Sequence, residues 1–121
     1  MKTTFKNENT TGNIEEMGLE SMQSVADDFG QFALDELNGE ENEELGALCD
    51  YGLSFEKQLN DETEELEYYR YQLSWGGPSD EIRFYPSGKI EYVFLDWFCG
   101  IGFDVTSEEW AQWARDQLVE L

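Results

Sequence analysis

The sequence predicts an α+β fold, with N-terminal helices and one C-terminal helix packed on a three- to four-stranded antiparallel sheet. Three observations predict it. Apolar residues recur at three- and four-residue steps from Ile14, residues 68–97 alternate between apolar and polar with turn residues between the runs, and Trp110, Trp113, Ala114 and Leu118 return to helical spacing. With 121 residues, 40% of them hydrophobic and 15% aromatic, the chain suits one domain with a modest core.

Residues 1–13 are polar and are expected to be a flexible N-terminus, leaving 14–121 as a single α+β domain. Its acidic helical part is 14–50. Met17, Met22, Val25, Phe29, Phe32, Ala33, Leu34 and Leu37 form an apolar stripe with carboxylates between them, and Gly30 is a point where two helices could divide. Asn38-Gly39 is a stop signal. A further short helix is expected at Asn42–Cys49, although Gly46 opposes it.

The sheet part is 51–98. "YGLSFEKQL" suggests a first strand, and "NDETEELE" is an acidic connector. In "YYRYQLSW", Tyr69, Tyr71, Leu73 and Trp75 fall on one face. Gly76-Gly77-Pro78 makes a turn, Asp80–Tyr85 a strand and Pro86-Ser87-Gly88 a tight turn. Lys89–Trp97 is apolar enough after Glu91 to be a central strand covered on both faces. After the glycine-spaced "FCGIGFDVT", Ser107 with Glu108 and Glu109 reads as the cap and first turn of a helix at 107–119.

Charge dominates the composition: 28 acidic against 7 basic residues and no histidine, for a net charge of −21. Residues 1–67 hold 19 acidic and 3 basic side chains, and residues 68–121 hold 9 and 4. Without histidine there is no Ser-His or Cys-His pair. Cys49 and Cys99 have no zinc-like spacing and read as reduced, buried thiols of a cytosolic protein. The nearest approach to a calcium loop, starting at Asn7, has Gly18 where a bidentate glutamate should fall. "SWGGPS" has the glycines of a phosphate loop without its lysine. No apolar run is long enough to span a membrane, and the first residues lack the apolar core of a signal peptide. The expectation is therefore a non-enzymatic protein without metal or cofactor, in the cytoplasm.

The carboxylates themselves are the candidate site. B-form DNA presents one charge per roughly 1.7 Å of axis, and its binders use Lys and Arg arrays that a surface of spaced carboxylates can occupy. The candidate contacts are Glu15, Glu16, Glu20, Asp27, Asp28, Asp35, Glu36, Glu40, Glu41, Glu43 and Glu44, with Asp50 continuing the ridge. A second patch is Asp61, Glu62, Glu64 and Glu65, and Asp80, Glu81 and Trp75 are expected at a turn within reach of a partner. A solvated acidic face, or adaptation to high salt, is the plain alternative.

The run "YYRYQLSWGGPSDEIRFYPSGKIEYVFLDWF", above all "LSWGGPSDE" and "EYVFLDWF", resembles the core of small acidic proteins encoded by phages and other mobile elements. Their neighbourhood includes anti-CRISPR and anti-restriction inhibitors. The resemblance spans about residues 45–114 and leaves the acidic N-terminal third uncovered. It implies an inhibitor of a nucleic-acid-dependent defence system in a bacterial host cell. Joined to the charge, it points to a DNA mimic that blocks target-DNA binding by a CRISPR effector, as a monomer or homodimer that binds no nucleic acid itself. Three alternatives stay open. One is an immunity-type inhibitor of a toxic nuclease, anchored by Trp75 or Trp110. The second is an interaction module unrelated to nucleic acid. The third is a carboxylate-based hydrolase with tryptophans stacking on sugars.

Overall fold

The computed structural model describes residues 2–7, 13–39, 51–96 and 99–119. In chain order these form β1 (Lys2–Asn7), α1 (Ile14–Asn38), β2 (Ser54–Leu59), β3 (Leu66–Ser74), β4 (Pro78–Phe84), β5 (Ile90–Asp96), β6 (Cys99–Asp104) and α2 (Glu109–Leu118). The fold is α+β. Among the described residues two helices accompany one antiparallel sheet of six strands, ordered β1-β6-β5-β4-β3-β2.

α1 starts on a reciprocal cap. The Asn13 side chain accepts a hydrogen bond from the Glu16 backbone N–H at 3.1 Å, and its amide donates to the Glu16 carboxylate at 3.3 Å. The helix runs unbroken through Gly30 and stops where expected, at Gly39 with φ 71°. The division that Gly30 offered is not taken, and one helix covers the whole stripe. The helix foreseen at Asn42–Cys49 lies outside the described residues.

The meander β2–β6 contains the strands foreseen at 68–97, and β5 is central, with Ile90 through Phe94 all buried. Two strands were not foreseen. β6 occupies the glycine-spaced segment, and β1 pairs with it at the sheet edge instead of fraying. Gly100 and Gly102 share one face of β6, where a Cβ on Gly102 would stand 2.5 Å from the Phe5 ring. Phe5 thus covers the surface that the glycines leave bare, which joins β1 to the sheet without an apolar run of its own.

The core lies between the helices and one sheet face. Gly18 of α1 sits against Ile101 and Phe103, so the residues in register with these face the helices: Tyr92 and Phe94 on β5, Ile82 on β4 and Tyr71 on β3. Phe29 and Phe32 of α1 meet Tyr51, Tyr71 and Trp113 in one aromatic cluster. α2 begins two residues later than expected. Glu108 is its N-cap residue and makes no side-chain cap, while Ser107 is exposed before it.

A bulge interrupts the β3–β4 ladder between Gln72 and Ser74. The buried Gln72 amide donates to the Ser74 and Asp80 carbonyls at 2.8 and 3.1 Å, satisfying groups that the bulge removes from the ladder. The extra residue shifts the alternation, so Leu73 and Ser74 both turn toward α1, while Trp75 is 62% exposed rather than aligned with Tyr69, Tyr71 and Leu73.

Candidate functional site

The charges are sorted by element. α1 carries seven acidic residues among 25 and no basic one. Five of the chain's basic residues lie on strands, Lys89 adjoins β5 and Arg115 is on α2. The acids of α1 differ in what they do. Glu16, Glu20 and Asp27 point outward along the exposed side of the helix, spanning about 16 Å at 1.5 Å per residue. Glu15 is exposed next to this row and pairs with Lys6 at 3.3 Å. Asp27 accepts a hydrogen bond from Gln23 at 2.9 Å, and Glu16 serves the cap. One strand of B-DNA places about five phosphates over the same 16 Å, so this row is the sparser array.

The remaining acids of α1 have structural work. Asp28 accepts the Tyr51 hydroxyl at 2.5 Å, and Asp35 is buried and accepts from Gln31 at 2.8 Å. Glu36 is exposed and accepts from the Trp113 indole at 2.9 Å, which ties α1 to α2. Glu40, Glu41, Glu43, Glu44 and Asp50 lie outside the described residues.

Asp61, Glu62, Glu64 and Glu65 are all exposed at the tip of the β2–β3 hairpin. Asn60 organises this tip by accepting the Glu62 and Thr63 N–H groups at 2.9 and 3.0 Å, and its own N–H donates to the Glu65 carbonyl. Glu64 adopts φ 60°, a left-handed conformation that costs a non-glycine residue roughly 1 kcal/mol. Glu64→Gly is accordingly expected to be about 1 kcal/mol more stable than Glu64→Ala in urea unfolding. Equal stabilities would show that the tip relaxes without strain. In a meander, alternate turns lie at opposite ends of the sheet. This tip is therefore at the other end from the β3–β4 turn, and the two acidic patches are separate.

Asp80 and Glu81 do not occupy an exposed turn. Both are buried within β4, 8% and 6% exposed, because the strand begins at Pro78 and continues the ladder through them. Asp80 faces α1 and accepts hydrogen bonds from Ser74 Oγ and from the Tyr92 hydroxyl, the latter at 2.6 Å. Burial and the adjacent carboxylate push the Tyr92 phenol far above its ordinary pKa, so it stays a donor. Glu81 faces the other way and is held by Arg83 at 2.8 Å.

That other face carries a row the sequence reading missed. Glu56, Arg70, Arg83, Glu91, Asp104 and Lys2 are successive cross-strand partners over all six strands. Arg70 pairs with Glu56 at 3.1 Å, and Arg83 reaches Glu91 at 3.7 Å while lying 4.9 Å over the Tyr68 ring. The Tyr85 hydroxyl donates to Glu91 at 2.8 Å, and burial followed by that carboxylate pushes its pKa up to about 12. Asp104 is held below the usual carboxylate range, mainly by the Thr106 hydroxyl and backbone N–H. The only sequence signal for this row was the placement of Arg70, Arg83 and Glu91 at matching strand phase.

Among the described residues no group of three or more Cys, Asp or Glu side chains is arranged to hold a metal ion, and no helix is long and apolar enough to cross a membrane. No protein family, curated protein or solved structure matches the chain.

Proposed function

We propose that the protein is an acidic DNA-mimicking inhibitor that binds the basic nucleic-acid groove of a bacterial defence complex and blocks target-DNA binding. The observation that carries this reading is the exposed face of α1, where Glu15, Glu16, Glu20 and Asp27 stand together on a helix without a single basic residue. Arg70 and Arg83 are matched to carboxylates on the far face of the sheet, and among the described residues only Glu15 of the α1 row meets a strand cation, Lys6. The hairpin tip at Asp61–Glu65 supplies a second, separate negative patch. A CRISPR effector is the favoured complex on the resemblance of "LSWGGPSDE" and "EYVFLDWF" alone. The inhibitor acts by occupancy, without turnover.

The test replaces Glu15, Glu16, Glu20 and Asp27 together with their amides and measures displacement of DNA from the effector. Exposed ion pairs are worth about 0.2–1 kcal/mol each, so a loss of roughly fourfold to nearly a thousandfold is expected for the four together. Wild-type binding should also weaken steeply as salt approaches about 0.5 M, where screening is short-ranged. Silent substitutions, or binding indifferent to salt, would sink the reading.

Trp75 favours a second reading. It is a large aromatic, exposed at the β3–β4 turn, which suits an immunity-type inhibitor that anchors on a toxic nuclease. Under that reading Trp75→Ala weakens binding more than the four amide substitutions do.

A further inference from the structure

A groove of about 480 Å³ lies between the N-terminal half of α1 and the β3–β4 turn. Val25, Leu73 and Phe94 give it apolar walls, Glu20 and Ser24 stand on the α1 side, and Asp80 lies on the sheet side. The β3 bulge builds this site, because it aims Ser74 at Asp80 instead of away from it.

The state of Asp80 indicates what the groove lacks. The carboxylate is more than nine-tenths buried, and its described hydrogen-bond donors are the Ser74 and Tyr92 hydroxyls, which supply hydrogen bonds and no positive charge. Among the described residues no Lys or Arg forms an ion pair with it. A buried carboxylate without a counter-ion is costly, and each oxygen keeps capacity for a further donor. Tyr51, also on the groove, has its hydroxyl committed to Asp28, so it brings a second carboxylate close rather than a cation. An anion would be repelled there, and a neutral ligand would leave the charge uncompensated. An alkyl chain ending in a cation satisfies both the walls and the carboxylate.

We propose that this groove takes one Lys or Arg side chain of the partner, with its stem against Val25, Leu73 and Phe94 and its charged head on Asp80. The proposal rests on the reading that the partner is basic. It makes one desolvated ion pair the anchor, with the exposed α1 row guiding approach.

The test needs no partner. The full chain is titrated with n-butylguanidinium and n-butylammonium, with n-butanol as the neutral control, and followed by amide NMR. Saturable shifts are expected at Ser74, Asp80 and residues 21–25 with both cations and not with butanol. Asp80→Asn, which keeps the shape and most hydrogen bonds, should weaken them at least fivefold. Ser24→Trp, at an exposed position on the groove, should abolish them while leaving the remaining sheet signals in place, which guards against a folding artefact. Equal shifts with butanol, cation binding indifferent to Asp80→Asn, or no saturable binding would each overturn the site. If the cations bind here while the four α1 amides leave inhibition intact, the DNA-mimic reading fails and the groove stands. The converse pair of results removes the groove alone.

Discussion

Replacing Phe29 with alanine lowers the stability of the fold by about 3–5 kcal/mol. Phe29 is 0% exposed, and its ring lies 5.6 Å from Tyr51, 5.8 Å from Trp110, 6.3 Å from Trp113 and 6.4 Å from both Phe32 and Tyr71. These partners belong to α1, α2, β3 and the segment before β2, so one truncation loosens every layer at once. Collapse around the gap is limited because the neighbours are rigid rings that cannot extend to fill it. The change is read as a fall in the urea midpoint at unchanged slope, with Leu37→Ala, at the far exposed end of α1, shifting it by no more than about 0.5 kcal/mol. A loss below about 1 kcal/mol for Phe29→Ala would mean that the aromatic cluster is not the centre of the core.

Arg83→Met is expected to cost about 3 kcal/mol at neutral pH, despite conserving much of the side-chain volume. Arg83 is the close cation of Glu81 at 2.8 Å and reaches Glu91 at 3.7 Å, and both carboxylates are buried. Lys89 approaches Glu91 only to 3.9 Å and is partly exposed, so it compensates little. The variant leaves two buried charges diagonal to each other on the same face of adjacent strands. Its deficit should therefore depend on pH with a definite sign. It is largest at neutral pH and smaller in acid, because protonation removes the uncompensated charge. Paired urea curves at pH 7 and pH 4 measure this. A deficit that is constant between them would mean that packing over Tyr68, not charge pairing, is what Arg83 contributes.

The legible parts of the fold were those set by neighbours in sequence. The stripe from Met17 to Leu37 predicted a helix with one apolar face, and Asn38-Gly39 predicted its stop; both stand in the structure. Strands at 68–97 were readable from alternation and turn residues, and the unbroken apolar run of β5 marked it as central. Among the candidate contacts, the alignment of Glu16, Glu20 and Asp27 along one side of the helix followed from helical phase alone.

β1 and β6 were not legible, since neither holds together locally. Phe5 covers Gly100 and Gly102 across nearly the whole length of the chain, and no window contains both partners. Asp80 and Glu81 were read as turn residues because Gly76-Gly77-Pro78 precedes them, yet the ladder resumes at Pro78 and encloses both.

The sequence alone determined the charge, the helical and strand periods, and the exclusion of histidine-based chemistry, because each follows from residue type and local spacing. The tertiary structure decided which acids face solvent, which are spent on Arg83 or Tyr51, and that a bulge in β3 turns Ser74 and Asp80 into one groove. Those outcomes depend on strand register, and a single extra residue reverses which face a side chain occupies.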